Sequence, residues 1–192
     1  MISLNQGIEN IVSCFFSGKE TDRKYGRNWY PSANLWCKKQ AEMLNVPMTT
    51  FVAVVAAISP SNRWERNKID AINLFQFGRR VNISTYNSNK RKALNIIKTN
   101  DVNLLHGPKV MSFYNCIMRP KANLVVVDRH AYRVFVGRYV TDDKINISAS
   151  EYNRIVLAYK EASRITKQYP AAIQASTWMI YRNSINNAKR AA

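Results

Sequence analysis

The feature that most constrains this chain is a turn that reads Leu-His-Gly-Pro at positions 105–108. Gly107 can adopt a positive φ angle that other residues avoid. Pro108 suits the first position of a helix, where its missing N–H costs nothing. Lys109 follows, so the helix would have a basic start. Apolar side chains then recur at helical spacing and predict a helix over 108–118: Val110, Phe113, Tyr114 and Ile117.

A second helix start is predicted at Asp128, which lies 19 positions after Lys109. A short apolar run over 124–127 ends at this aspartate, and apolar residues resume at helical spacing after it. Aspartate is favoured as the N-cap of a helix, because its carboxylate accepts hydrogen bonds from free N–H groups of the first turn. We therefore expect a helix over 130–136 that Asp128 caps.

These residues resemble the helix-hairpin-helix DNA glycosylases, the superfamily of endonuclease III and 8-oxoguanine glycosylase. That superfamily has an essential aspartate in a V-D-x-H pattern, which here reads Val127-Asp128-Arg129-His130. Members that also cut the DNA strand have a lysine at the second position after the last hairpin glycine, which here is Lys109. The hairpin usually reads Gly-x-Gly, and Leu105 replaces the first glycine.

The resemblance implies one all-α domain over residues 1–192, built as two helical lobes that flank a DNA-binding cleft. Lobe A would hold residues of about 45–125, and lobe B would hold 1–44 together with 126–192. Hydrophobic periodicity independently predicts helices along nearly the whole chain. Many endonuclease III relatives carry an iron–sulfur cluster held by four cysteines. This chain has three cysteines and two histidines, so we expect no cluster, no metal and no diffusible cofactor.

The region before the hairpin carries two further predictions, one of a loop and one of a helix. Residues 19–27 are polar and are predicted to form a surface loop. A helix is predicted to begin at Trp29 and to run to about Leu44, with Leu35, Trp36 and Met43 packed inward.

A second point of resemblance is a break between two predicted helices at residues 59–62. In endonuclease III relatives, a polar residue of such a turn wedges into the space that a flipped base vacates. The nearest counterparts here are Ser61 and Asn62, although Asn62 is equally suited to cap the following helix. Arg63 continues this turn, and Lys90 opens a basic helix ahead of the hairpin. Both are expected to contact DNA.

The charge of the chain indicates a polyanionic partner. It has 29 lysines and arginines against 12 acidic residues, a net charge of +17. Nucleic acid is the first candidate for such a surface. An anionic membrane is the rival partner, but no apolar run is long enough to span a bilayer and no lipidation motif is present. Widely spaced cysteines favour reduced thiols and therefore a cytoplasmic location. There we expect the protein to contact the nucleoid or phage DNA.

The resemblance also implies roles for the two helix starts. Release of a base builds positive charge at C1′, which the Asp128 carboxylate would stabilise. Lys109 would attack C1′ as a neutral amine, form a Schiff base with the opened sugar and nick the strand by β-elimination. Desolvation and neighbouring cations would favour the neutral amine. Backbone N–H groups of Gly107, Lys109 and Val110 would hold a phosphate.

Three further polar side chains are expected at the DNA: His106, Arg129 and His130. His130 can pack in the core, bind phosphate or orient Asp128. Arg129 is expected to bind phosphate or form a salt bridge. Near the C-terminus, Trp178 and Tyr181 either pack in the core or approach the cleft.

The resulting hypothesis is a monomeric DNA glycosylase with abasic-site lyase activity, which excises a damaged or modified base flipped out of double-stranded DNA. One alternative keeps the fold and takes a hypermodified base of phage DNA as the substrate. Another alternative is a catalytically silent DNA-binding module, for which the missing hairpin glycine and the small wedge residues are the main support. The base itself is not identified, because its pocket would be assembled from several helices.

Overall fold

The computed structural model describes the backbone of residues 2–191 and the side chains of residues 2–185. Within this range the regular structure consists of nine α-helices and three short 3₁₀ turns, without any strand. The predicted all-α class is therefore confirmed. The helices are α1 (Leu4–Ser17), α2 (Glu20–Met43), α3 (Met48–Ala57), α4 (Trp64–Phe77), α5 (Asn87–Thr99), α6 (Pro108–Met118), α7 (Arg129–Val136), α8 (Ala149–Thr166) and α9 (Pro170–Ala191).

The chain divides into two compact units. The first unit comprises Met1–Pro31 with Pro120–Ala192, and the second unit comprises Ser32–Arg119. One boundary falls inside α2 and the other follows α6. The lobes expected from the sequence have their boundaries near residues 44 and 125. Among the described residues, no helix is both long and apolar enough to cross a membrane.

In the first unit, α1 packs against α7, α8 and α9. Its core consists of apolar side chains that include Ile11, Phe15, Phe135, Ile155, Tyr159 and Ile173. The Tyr152 hydroxyl fixes the extended run before α7, since it donates to the Val125 carbonyl at 3.4 Å and accepts from the Val127 N–H at 3.5 Å. This buried run therefore leads to Asp128 along a fixed path.

The loop predicted over residues 19–27 is wrong, because α2 begins at Glu20. The Lys19 N–H donates to Asp22 at 3.2 Å, and two acidic residues in the first turn suit the positive end of the helix dipole. On the buried side, Gly26 lies against Ser176 of α9, where a Cβ would come within 2.3 Å of backbone. Tertiary packing of a small residue thus stabilises a helix whose outer face is polar.

The predicted inward positions of Leu35 and Met43 are also wrong. Their side chains are 68% and 71% exposed. The buried face of this part of α2 consists of Ala33, Cys37 and Ala41, spaced four residues apart. Small side chains allow close packing here, so the larger apolar residues lie on the outer face.

In the second unit, α3 is the central helix and packs against α4, α5 and α6. Every residue of α3 from Thr50 onward is buried. Phe51 stacks on Phe75 with ring centroids 5.4 Å apart. The amide of Asn67 donates to the Val55 carbonyl at 3.1 Å and ties α4 to α3. The apolar α3 thus forms the core around which the hairpin helices pack.

A buried carboxylate, Asp70, organises two loops of this unit. Its oxygens accept from the Asn62 amide at 3.0 Å, the Ser84 N–H at 2.9 Å and Arg66 Nε at 2.8 Å. The N-cap residue of α4 is Arg63, which makes no side-chain cap bond. Asn62 therefore does not cap α4, and that alternative is wrong.

Asp70→Ala is expected to lower the free energy of unfolding by about 2 kcal/mol, because the Ser84 N–H and the Asn62 amide lose their charged acceptor. Urea unfolding followed by circular dichroism measures the change. Glu65→Ala is the matched control, since it removes an acidic group of the same helix whose side chain is 79% exposed. We expect a loss below about 0.5 kcal/mol for this control. Equal losses in the two variants would contradict the assigned role of Asp70.

Candidate functional site

The predicted turn ahead of α6 is present in the second unit. A 3₁₀ turn, Val102–Leu104, is followed by the buried Leu105, whose N–H donates to the Val102 carbonyl at 3.1 Å. Gly107 has φ +87°, and nothing lies within 4 Å of the place where a Cβ would be. Glycine is therefore required here by backbone conformation and not by crowding. Pro108 is the first residue of α6, as expected.

The N-terminus of α6 is open to solvent. His106, Gly107 and Lys109 are exposed, and Val110 is half-buried. The first N–H groups of a helix have no carbonyl one turn earlier to bind, so this end offers free donors. Because Lys109 is exposed, burial within the chain does not supply the desolvation that the sequence-based mechanism invokes.

The predicted cap of α7 is confirmed in the first unit. Asp128 is the N-cap, and its Oδ1 accepts from the Ala131 N–H at 2.8 Å. The side chain is half-buried. Its Oδ2 makes no hydrogen bond within the described part of the chain. One carboxylate oxygen is thus held by the helix while the other is available.

Helix α9 brings aromatic side chains to the start of α7. The His130 ring lies 6.2 Å from Trp178 in an edge-to-face arrangement and 6.1 Å from Tyr181. The Arg182 guanidinium lies over Trp178 at 4.5 Å from the ring centroid. The His130 Nδ1 atom is buried without a hydrogen-bond partner in the described residues. We call His130, Trp178 and Arg182 the α7–α9 cluster. Of the roles considered for His130, packing is the one that these contacts support directly.

The surroundings of His130 favour its neutral form. Burial is the largest cause that lowers its pKa from the usual 6.5, and the Asp128 carboxylate opposes this effect. Three guanidinium groups lower the pKa further: Arg133, Arg182 and Arg129. The imidazole is therefore uncharged near neutral pH and can accept a hydrogen bond at one ring nitrogen.

The lowered pKa of His130 predicts a pH-dependent stability. Below pH 6.5 the unfolded chain binds a proton at this position more readily than the folded chain, so folding becomes less favourable as the pH falls. His130→Gln is expected to lose less stability than the wild type between about pH 7.5 and pH 5. Urea unfolding at both pH values measures this difference, and His106→Gln at the exposed turn is the control. An identical pH dependence in wild type and His130→Gln would contradict the assignment.

Arg129 forms a salt bridge, which is one of its two expected roles. It pairs with Asp142, and so does Arg133, whose Nε also donates to the Val140 carbonyl at 2.7 Å. The hydrogen bond from Arg133 is the largest cause that lowers the pKa of Asp142, and Arg129 adds to it. Asp142 therefore neutralises part of the positive charge at α7, a contact that sequence spacing alone does not reveal.

The expected wedge residues lie at the turn before α4. Ser61 is exposed with φ +61°, and its hydroxyl lies 3.4 Å from the Tyr86 hydroxyl. Asn62 is turned toward Asp70, whereas Arg63 is exposed. Tyr86 is 61% exposed and was missed by the sequence analysis. An aromatic residue in a polar segment, immediately ahead of α5, was the available signal.

Lys90 is held by the chain itself. Its ammonium donates to the carbonyls of Val81 at 2.5 Å and Arg79 at 3.1 Å. The neighbouring Arg91 and the later Lys98 are exposed. Arg91 and Lys98 are therefore more accessible to a DNA phosphate than Lys90 is.

The candidate residues fall into separate groups. Asp128 and the α7–α9 cluster belong to the first unit, whereas Lys109 and the turn at 59–62 belong to the second. Among the described residues, no group of three or more His, Cys, Asp or Glu side chains could hold a metal ion. Burial raises the pKa of each cysteine thiol to about 12. These thiols are therefore poor nucleophiles and poor metal ligands.

Comparison with known proteins gives one family assignment. No curated protein and no solved structure matches this chain. Residues 1–185 match the family described as "Family of unknown function (DUF7178)". Since this match covers all but the last few of the 192 residues, the chain belongs to the family of unknown function DUF7178.

Proposed function

We propose that this chain is a DNA glycosylase of the helix-hairpin-helix type with associated abasic-site lyase activity. The observation that carries the proposal is the state of Asp128, whose Oδ1 is held by the first turn of α7 while Oδ2 has no partner among the described residues. The V-D-x-H pattern around Asp128 and the Gly-Pro-Lys start of α6 support the same assignment.

Asp128 would stabilise the positive charge that develops at C1′ as the glycosidic bond breaks. The Ala131 N–H fixes the direction of the carboxylate, so Oδ2 needs little reorganisation to approach the sugar. The first turn of α7 places backbone N–H groups and the positive end of the helix dipole beside this carboxylate.

The α7–α9 cluster would meet the extrahelical base. Trp178 offers an aromatic face, and stacking of a base on such a ring is worth about 1–3 kcal/mol. His130 packs edge-to-face against Trp178 and would hold that ring in place next to the base. This cluster could therefore offset part of the cost of removing a base from the stack.

The start of α6 would bind the DNA backbone and supply the nucleophile. Its free N–H groups and the helix dipole favour a phosphate. The Lys109 amine, once deprotonated, would attack C1′ as the base leaves with the bonding electron pair and is protonated. Ring opening then gives an imine, and loss of a C2′ proton expels the 3′ phosphate. The bound DNA must desolvate Lys109, because the amine is exposed in the free protein.

The two-lobed arrangement of the glycosylase superfamily is part of this proposal. The reaction requires Lys109 of the second unit and Asp128 of the first unit to reach the same deoxyribose when DNA is bound. The net charge of +17 supports binding of a polyanion.

The proposal is tested by incubating the protein with duplexes that each carry one damaged or modified base, and with phage DNA that contains hypermodified bases. Released bases are identified by mass spectrometry. We expect release from at least one modified substrate and none from the unmodified duplex. Salt-dependent DNA binding without release from any substrate would contradict the proposal and favour the silent DNA-binding module.

A further inference from the structure

A cavity of about 570 Å³ lies within the first unit, at the end of α7 that is remote from Asp128. Helices α1 and α9 and the turn after α7 form its walls. The volume falls within the range of about 300–1,000 Å³ that is typical of small-molecule sites. The proposed glycosylase chemistry makes no use of this cavity.

The charge of the cavity is positive. Arg133 and Arg138 line it, and none of the described lining residues is acidic. Arg133 is already paired with Asp142, and its guanidinium stacks on the Tyr139 ring at 5.1 Å from the centroid. Arg138 is exposed and has no hydrogen bond or ion pair within the described range. One guanidinium thus remains available for an anion, and phosphate suits its geometry.

The cavity also has a polar atom without a partner. The Tyr181 hydroxyl is buried and makes no hydrogen bond with any described residue. Burial is the main cause that raises its pKa, and the other groups that act on it, Arg133, Tyr139 and Cys14, all line the cavity. The Tyr181 side chain is one of the walls of the cavity. Nearly all buried polar groups are paired in native proteins, so this atom indicates a ligand or solvent partner.

The walls of the cavity are held in place without a ligand. The Asn10 amide of α1 donates to the Phe135 carbonyl at 2.8 Å, which satisfies a carbonyl in the last turn of α7. Gly137 has φ +71°, and a Cβ there would come within 2.7 Å of the Asn10 side chain. Because this junction is closely packed, few protein groups would have to become ordered on binding, and the entropic cost of binding a ligand is small.

We infer that this cavity binds a free nucleoside monophosphate, a ligand that the proposed DNA chemistry does not involve. The phosphate pairs with Arg138, the Tyr139 ring, which is 64% exposed, offers a face to the base, and the Tyr181 hydroxyl bonds to the ligand. The volume admits one nucleotide, whereas a nucleic acid chain needs a continuous groove. The inference stands on these contacts and does not require that the glycosylase proposal be correct.

Isothermal titration calorimetry with deoxyadenosine monophosphate tests the inference on the full chain. We expect saturable binding that Arg138→Ala weakens by at least about tenfold, or about 1.4 kcal/mol. Arg164→Ala removes the same charge from a side chain of α8 that is 77% exposed, and it should bind like the wild type. Deoxyadenosine without phosphate should bind more weakly than the nucleotide.

Tyr181→Phe gives a second and independent readout. It should weaken nucleotide binding and leave the melting temperature of the free protein unchanged or higher, because the deleted hydroxyl has no partner to lose. Absence of saturable binding would overturn the inference, as would equal weakening by Arg138→Ala and Arg164→Ala. It would also be overturned if a phosphorylated trinucleotide bound through Arg138 and the mononucleotide did not.

Discussion

Lys109→Gln is expected to abolish covalent trapping of the protein on abasic DNA by borohydride, a loss of at least about 10³-fold. Borohydride reduces the imine between an amine and the opened sugar to a stable bond, and a glutamine amide forms no such imine. Lys109 is exposed at the first turn of α6, so this substitution should leave the fold intact. The trapped complex is measured as a band of lower mobility on a denaturing gel.

Two controls separate the nucleophile from a charge that only binds phosphate. Lys109→Arg keeps the positive charge but cannot form the imine, so it should bind DNA like the wild type and still fail to trap. Lys98→Gln removes a different exposed lysine of the second unit and should trap normally. Full trapping by Lys109→Gln would show that another amine attacks the sugar, and failure of the wild type to trap would remove the lyase step from the proposal.

The sequence predicts best where a residue has a local physical reason for its position. Gly107 has the positive φ angle that the turn requires, and a helix begins at the next residue, Pro108. Asp128 caps α7 through a hydrogen bond that spans three residues. Both features depend on backbone groups a few residues away, so the local sequence contains the information that specifies them.

Prediction fails where distant segments decide the outcome. Residues 19–27 read as a loop, but the contact of Gly26 with Ser176 and the carbonyl that Arg23 offers to the Ser176 hydroxyl stabilise a helix there. Leu35 was placed inside from the apolar pattern of the helix, although the smaller Ala33 and Cys37 form the packed face. These contacts join residues far apart in the chain, which helical periodicity does not detect.

In the candidate site, too, features that depend on nearby residues were predicted, and features that depend on distant residues were not. Lys109 and Asp128 were proposed from their patterns, whereas the contacts of Trp178 and Tyr181 with His130 join residues about fifty positions apart, and the sequence left the place of these two rings open. The wedge assignment of Asn62 did not anticipate the buried Asp70 that binds its amide. Residues that begin helices were thus identified from sequence, and the partners that surround them required the structure.

Asp128→Asn is expected to slow base release by about 10²- to 10³-fold, because the carboxylate charge that stabilises the transition state is lost. Its stability should differ from that of the wild type by less than about 0.5 kcal/mol, since asparagine caps a helix as well as aspartate does. Single-turnover release of the base from the preferred substrate measures the rate, and urea unfolding measures the stability.

Comparison with Asp128→Ala separates the cap from the catalyst. Alanine removes both the charge and the hydrogen bond to the Ala131 N–H, so it should cost about 1 kcal/mol of stability and slow release at least as much. If Asp128 only capped α7, the asparagine variant would release base at the wild-type rate and only the alanine variant would be impaired. A defect shared by both variants, with stability lost in one alone, requires that the charge itself act on the sugar. In the proposed reaction the acting atom is Oδ2, which makes no hydrogen bond with any described residue.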